Sequence, residues 1–237
     1  MIDGTAGLRL RVLSAGAPQT GVNGCIDAFR RMTGDEVEAE FATAPAIREK
    51  LAGGDAGADI VIAPVTAVRD FENQGLTVAG TPVVIGGVKA AVVVRSGAEA
   101  PDISSAEALM HALLAAGSVV YNEASSGVYI ARMLERLGIA GAVAPKTVRV
   151  ATGAAVMEHL AASRTPGEIG FGQLPEIRRC EDKGVTLVGP LPSEVENVTV
   201  YAAALLAGST SPAPARSFIE FLVTPEAKEI FAAAGVE

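Results

Sequence analysis

The sequence predicts an α/β fold of two lobes, each with a mainly parallel sheet, joined by a hinge of two chain crossings. Short β-branched runs alternate with longer helical patterns, which is typical of parallel sheets covered by helices. A second series of strands and helices interrupts the first, and a late strand returns to it. With 237 residues and 49% hydrophobic content, the chain suits two lobes of roughly 100 residues each. We expect residues 1–85 and 200–237 in lobe 1, residues 86–199 in lobe 2, and a ligand cleft between them.

Lobe 1 is predicted to open with three strand–helix pairs. Gly34, Gly53 and Gly75 each follow a helical pattern and indicate where that helix ends. The predicted elements are, in order, Leu8–Leu13, Asn23–Thr33, Glu36–Phe41, Ala44–Ala52, Ile60–Ala63 and Val65–Gln74. The carboxyl ends of such strands meet at one edge of a sheet, where open α/β sheets bind ligands.

Lobe 2 is predicted to begin with a long strand and to continue the same alternation. Its elements are Val83–Val94, Ser105–Ala115, Ser118–Asn122, Val128–Leu137, Thr147–Val150, Ala154–Ala162, Glu168–Phe171, Leu174–Cys180 and Thr186–Val188. Strand Asn197–Leu206 then returns the chain to lobe 1, and helices Pro214–Val223 and Pro225–Gly235 close the sequence. Ser104 or Ser105 is a candidate cap for the first helix of this series.

The two most apolar windows, Val83–Val94 and Val198–Ala207, are too short to span a bilayer. We interpret them as buried strands of a parallel sheet and expect no membrane insertion. The net charge is −8 and no basic stripe alternates with aromatic residues, which excludes nucleic acid as a partner. The first residues lack the pattern of a secretory leader, so the chain as written is predicted to be cytoplasmic, or periplasmic where a leader has been removed.

No motif of nucleophilic or metal-assisted catalysis is present in the sequence. Cys25 and Cys180 are predicted to be free thiols, because neither belongs to a CxxC or Cys/His pattern. His111 and His159 fall inside predicted helices without a partner at metal-ligand spacing, so we expect no metal and no cofactor. Glu123 is the one candidate general base, provided that it is desolvated.

Small and hydroxyl-bearing residues stand between several strands and the helices that follow them. Loop SAGAPQTG contains Ser14, Thr43 precedes the second helix, and NEASSG contains Ser125 and Ser126. Thr152 and Gly153 precede a further helix, and GFGQ offers the amide of Gln173. An anion is bound by converging N–H and O–H donors, which helix N-termini provide together with a favourable dipole. These loops therefore predict a small anionic ligand.

Three stretches carry a resemblance to a known family. They are the opening VLSAGAPQTGVNGCIDAFRRMTGDEVEAEF, the segment FATAPAIREKLAGGDAGADIVIAP and the terminus FIEFLVTPEAKEIFAAAGVE. Together they resemble the molybdate-binding branch of the type-II periplasmic solute-binding proteins of ABC transporters. This resemblance implies the type-II periplasmic-binding-protein fold of two Rossmann-like lobes. It departs in ATAPA, which offers only Thr43 where the family has a serine cluster, and near Phe171, where the family has a tyrosine.

The resemblance, together with the loop chemistry, gives a set of ligand-binding candidates. They are Ser14, Ala15, Gly16, Thr43, Ala44, Ser125, Ser126, Gly127, Thr152, Gly153, Phe171 and Gly172. The implied function is a monomeric solute-binding protein that clamps a molybdate-like oxyanion or a small carboxylate by hinge closure, without catalysis, and docks to an ABC permease. Two alternatives stay open: a cytoplasmic isomerase- or lyase-like enzyme that transfers a proton on a small organic acid, and a ligand sensor.

Overall fold

A computed structural model describes residues 9–54 and 57–237 of the protein. The chain divides into two compact units, one made of the residues up to Gly87 together with Val200–Glu237 and the other of Val88–Thr199. It passes from one unit to the other twice, after Gly87 and after Thr199. Leu8, the predicted start of the first strand, and the residues before it lie outside the described residues.

Strands and helices alternate through most of the described ranges. The strands are β1 (Arg9–Ala15), β2 (Glu36–Ala42), β3 (Ile60–Pro64), β4 (Val83–Arg95), β5 (Val119–Asn122), β6 (Thr147–Val150), β7 (Ile169–Gln173), β8 (Val185–Pro190) and β9 (Val198–Leu205). The helices are α1 (Gln19–Thr33), α2 (Ala44–Ala52), α3 (Val65–Asn73), α4 (Ala106–Ala115), α5 (Ser125–Arg136), α6 (Ala140–Val143), α7 (Gly153–Ala162), α8 (Leu174–Arg178), α9 (Pro212–Phe221) and α10 (Pro225–Ala233). Short 3₁₀ turns follow at Ala144–Lys146, Glu181–Lys183 and Ser193–Val195.

The first unit, which we call unit 1, has a sheet in the order β2-β1-β3-β9. β1 runs parallel to β2 and to β3, with Ser14 opposite Phe41 on one side and Ile62 on the other. β9 is antiparallel to β3. The carboxyl ends of β1, β2 and β3 therefore lie at one edge, next to the start of β9.

Unit 2, formed by Val88–Thr199, has its own sheet in the order β4-β7-β5-β6, with β8 on the other side of β4. β5 runs parallel to β6 and to β7, whereas β4 is antiparallel to β7 and to β8. The α/β class with mainly parallel pairing is thus confirmed. The direction predicted for the two apolar strands is wrong, because β4 and β9 are antiparallel to these neighbours. An apolar run reports burial on both faces but not strand direction.

Side-chain caps define several helix starts. Ser105 caps α4, where its Oγ accepts a hydrogen bond from the backbone N–H of Ala108 at 3.1 Å, as predicted. Two starts come three or four residues earlier than the sequence indicated: α1 begins at Gln19 and α5 at Ser125. In both places small polar residues that favour loops and caps are part of the first helical turn.

The core of unit 1 depends on both ends of the described chain. Phe29 on α1 packs edge-on against Phe218 with ring centroids 5.1 Å apart, and against Phe221 at 5.6 Å. On the same helix, a Cβ at Gly21 would lie 2.9 Å from Cε1 of Phe231 on α10, so only glycine permits this approach. The two C-terminal helices therefore complete the packing of the N-terminal one.

The core of unit 2 lies on both faces of its sheet. One cluster packs Ile169 and Phe171 of β7 against Ile130 and Met133 of α5. The other contains Met157 and Leu160 of α7 with Ile177 of α8. None of the helices in the described ranges combines the length and the apolar composition that a bilayer span requires.

We expect Phe218→Ala to lower the free energy of unfolding by about 3–5 kcal/mol, because the ring is fully buried and its removal leaves a cavity. Met32→Ala is the matched control, since Met32 is 61% exposed and its loss is expected to cost less than about 0.5 kcal/mol. Urea denaturation followed by circular dichroism measures both. Equal stability of the two variants would contradict the packing described here.

Candidate functional site

The strand-end loops of unit 1 contain the first group of predicted residues. Ser14, at the penultimate position of β1, is fully buried, and its Oγ donates to the carbonyl oxygen of Ala15 at 3.0 Å. Ala15 is opposite Ala42, so the turn that begins with Gly16 lies beside Thr43. The structure thus brings these predicted residues together at the carboxyl edge of the sheet.

The N-termini of α1 and α2 both lie at this edge, but only that of α2 has a side-chain cap. The residue before α1 is Pro18, which makes no side-chain cap. The N–H of Gln19 donates to the carbonyl oxygen of Gly16 at 3.2 Å, and no side-chain oxygen caps the other N–H groups of the first turn. Thr43 caps α2, because its Oγ accepts from the N–H of Ala46 at 3.4 Å, and Ala44 is the first helical residue. The N-terminus of the 15-residue helix α1 is therefore the stronger anion-attracting group of the two.

In unit 2, Asn122 organises the loop between β5 and α5. It is 3% exposed, and its Oδ1 accepts from the backbone N–H groups of Ala124 at 2.9 Å and Gly127 at 3.3 Å. Its Nδ2 donates to Oγ of Ser126 at 3.0 Å. The Ser126 hydroxyl is therefore held within the protein, whereas Ser125 is exposed at the start of α5. Sequence reasoning placed Asn122 in a strand and missed this role.

Gly127 lets the first turn of α5 rest on the end of β5. A Cβ at this position would overlap the carbonyl oxygen of Asn122 and lie 2.6 Å from its carbonyl carbon. No other residue fits without moving the helix, because both groups in contact are backbone. The predicted residue Gly127 thus shapes the loop through its missing side chain.

The N-terminus of α7 carries the third group. Thr152 caps the helix, with its Oγ accepting from the N–H of Ala155 at 3.1 Å. The carboxylate of Glu176 lies over the next residue, Gly153. A Cβ at Gly153 would be 2.9 Å from Cδ of Glu176. Burial raises the pKa of Glu176, and the charge of Arg179 and the backbone N–H of Gln173 offset only part of this effect. No local sequence pattern predicts this contact, because it depends on how α8 packs on α7.

The last three residues of β7 are Phe171, Gly172 and Gln173. The first two are core residues. Phe171 is 1% exposed in the cluster under α5, and a Cβ at Gly172 would lie 2.7 Å from Cε of Met157. The polar group at the carboxyl end of this strand belongs to Gln173, which is 3% exposed and donates from Nε2 to Oγ1 of Thr199 at 3.2 Å. We therefore place Gln173, and not Phe171, among the groups that can bind a ligand.

The other titratable candidates do not form a catalytic centre. Glu123 is exposed and lies 4.0 Å from Arg149, so the desolvation that a base at this position requires is not met. Cys25 is a free, fully buried thiol, and burial raises its pKa to about 12, which excludes a thiolate nucleophile at neutral pH. His159 hydrogen-bonds to Glu168 at 3.0 Å near the amino end of β7. Within the described ranges, no cluster of His, Cys, Asp and Glu is suited to a metal ion.

Strand-end loops with uncommitted donors at helix N-termini are typical of proteins that bind a small solute. The family model of the bacterial extracellular solute-binding proteins matches residues 10–237, and this chain belongs to that family.

Similar proteins extend this finding. An aconitate isomerase of a Pseudomonas species is 29% identical over 96% of this chain and 87% of its own length. The periplasmic molybdate-binding protein of Azotobacter vinelandii has a TM-score of 0.78 and 18% identity, covering 96% of this chain and 98% of that one. A sulfate-binding protein of Mycobacterium tuberculosis has a TM-score of 0.76 and 20% identity, covering 97% and 86%. The two structures share the type-II solute-binding fold with this protein.

We expect Gly127→Ala to destabilise the protein by about 1–3 kcal/mol, because the new methyl group collides with the backbone of Asn122. Gly141→Ala on α6 is the control: its Cβ would meet nothing within 4 Å, and it should leave stability unchanged or raise it by less than about 1 kcal/mol. Thermal melts of both variants test the contact. A Gly127→Ala variant as stable as the control would contradict the close approach of α5 to β5.

Proposed function

We propose that this protein binds a small carboxylate anion as the solute-binding component of an ABC-type transport system. The observation that carries the proposal is the chemistry of the strand-end segments. Residues 14–20, 43–46, 64–67, 122–127, 151–154 and 173–176 offer hydroxyl, amide and helix N–H groups but contain no Lys or Arg. Oriented neutral donors of this kind can replace the hydration shell of an anion.

Two findings favour a carboxylate over a tetrahedral oxyanion. The positions where the molybdate-binding proteins are expected to present a serine cluster and a tyrosine hold Ala44, Pro45 and Phe171, and Phe171 is a core residue. The curated relative is named for its action on aconitate, a tricarboxylate. A planar carboxylate requires fewer converging hydroxyls than a tetrahedral anion does, which suits the donors that remain.

In this proposal each unit offers its own strand-end loops for contact with a solute, and solute binding favours the bound conformation of the protein. The proposed contacts are Ser14, Ala15, Gly16, Thr43 and Ala44 from unit 1, and Ser125, Ser126, Gly127, Thr152, Gly153 and Gln173 from unit 2. The solute-bound form would be the one that a permease recognises. The family works typically in the periplasm, and we propose the same location for this protein.

A thermal-shift series with citrate, malate, succinate, cis-aconitate, molybdate and sulfate tests the ligand class. A bound ligand at a hundredfold excess over its dissociation constant adds about 2.7 kcal/mol to the stability of the folded protein. We expect a rise in melting temperature with at least one carboxylate. A rise with molybdate or sulfate alone would overturn the proposal in favour of an oxyanion.

Ser125→Leu is expected to weaken binding of that carboxylate by about tenfold or more, because the side chain is exposed at the start of α5 and leucine there would block the helix N–H groups. Ser217→Leu, an equally exposed change on α9, should leave affinity unchanged. Isothermal titration calorimetry compares the two. Unchanged affinity in Ser125→Leu would remove this loop from the binding site.

A second candidate function is isomerisation of the bound acid, favoured by the aconitate isomerase relative and by Glu176. In such a reaction a base removes a proton from the carbon next to one carboxylate, the double bond shifts by one position, and a proton is returned at the far carbon. Substrate and product then have the same composition. A carboxyl group whose pKa is raised by burial, as that of Glu176 is, is better matched to proton transfer near neutral pH than an exposed one.

Proton NMR of cis-aconitate incubated with the protein detects this activity directly. If the protein is an isomerase, Glu176→Gln should abolish turnover while binding persists, and Glu158→Gln, an exposed change on α7, should not. Wild-type turnover should fall as the pH is lowered through the raised pKa of Glu176, since the base must be ionised. An unchanged spectrum with bound cis-aconitate would leave solute binding as the function.

A further inference from the structure

Gln173 lies at a strand end where unit 2 would contact a bound solute. It is the last residue of β7, and its side chain shares a face with those of Ile169 and Phe171. Both of these pack in the cluster that includes Ile130 of α5, so Gln173 is on the face that α5 covers. The carboxyl end of β7 and the N-terminal turn of α5 therefore meet on one side of the same sheet.

The amide of Gln173 has one end satisfied and one end free. Its Nε2 donates to Oγ1 of Thr199 at 3.2 Å, and Asn197 Nδ2 lies 3.5 Å from the same oxygen. Its Oε1 is fully buried and accepts no hydrogen bond from any described residue. A buried acceptor without a donor is costly, and native proteins rarely keep one without a reason.

The missing partner has a definite chemical character, because an amide oxygen can only accept. Ionised carboxylates and the sulfate and molybdate dianions carry acceptors alone and cannot satisfy it. A hydroxyl group can. At the same edge of the sheet, the N-terminus of α5 and Ser125 offer donors that suit a carboxylate. Acceptor and donors together match a carboxylate with a hydroxyl group on a nearby carbon.

We infer that Gln173 Oε1 accepts a hydrogen bond from a hydroxyl group of the bound solute, so that the protein selects hydroxycarboxylates over the same acids without the hydroxyl. This inference rests on the proposed binding of a small carboxylate. It narrows the ligand class from small carboxylates to hydroxycarboxylates, and it assigns the selection of the hydroxyl group to the side chain of Gln173.

Two pairs of acids that differ only in the hydroxyl test it on the unmodified protein: malate with succinate, and citrate with tricarballylate. Calorimetric titrations at fixed pH and ionic strength give the four dissociation constants. We expect the hydroxylated acid of the better-bound pair to bind at least about tenfold more tightly, since its partner leaves Oε1 without a donor. Equal affinities within that pair would overturn the inference while leaving carboxylate binding intact.

Gln173→Met removes the acceptor at similar volume and should reduce the preference to less than about threefold, mainly by weakening the hydroxylated acid. Thr199→Val is the matched control, because it removes the partner of Nε2 but keeps Oε1. It should retain the preference. Circular dichroism and melting temperatures establish that both variants fold, and a misfolded variant leaves the wild-type comparison decisive. If none of the four acids binds while cis-aconitate does, the inference fails and the proposed function stands. If no carboxylate binds, both fail.

Discussion

The architecture of unit 2 depends on places where a neighbouring element packs so closely against a glycine that no Cβ fits there. The missing side chain of Gly127 allows α5 to pack directly against the carbonyl group of Asn122. A Cβ at Gly170 would lie 2.5 Å from Leu160 of α7. Because the first contact is to backbone, it cannot relax by a rotamer change. It therefore fixes the position of the α5 N-terminus relative to the strand end, which is where unit 2 presents its amide and hydroxyl groups. The proposed binding chemistry therefore depends on this steric limit rather than on a charged side chain.

The proposed binding of an anion without Lys or Arg requires that the local electric field at the site differ in sign from the net charge of the protein. The net charge is −8, yet oriented peptide dipoles act over a few ångströms, while exposed charges are screened beyond roughly 8–10 Å. Of the two carboxyl groups in these segments, Glu123 is exposed to solvent beside Arg149, and burial of Glu176 favours its neutral form. Both arrangements reduce repulsion of a bound anion, and neutral donors select by hydrogen-bond pattern more than by charge.

The sequence predicted most of the elements because periodicity and capping are local. The bounds of α2 and β6 match the prediction, and Ser105 caps α4 as expected. Strand direction at β4 and β9 was not predictable from apolar runs, since it is set by connections that span the chain. The roles of Asn122 and Glu176 depend on contacts between elements, α5 on β5 and α8 on α7, which leave no local pattern. The ligand-binding residues named from the loops remain predictions, and the buried Oε1 of Gln173 became evident only from its surroundings.

The two-part composition of unit 1 has a consequence for biosynthesis. Residues 88–199 form unit 2 as one uninterrupted stretch, whereas unit 1 needs β9 beside β3 and Phe218 against Phe29. On the ribosome, the segment that starts first is thus completed last. At a translation rate of about 5–20 residues per second, the helices that cover α1 are synthesised on the order of ten seconds after α1 itself. During that interval its apolar face is open to chaperones, and a chain that stops short of residue 200 would carry a finished second unit on an unfinished first one.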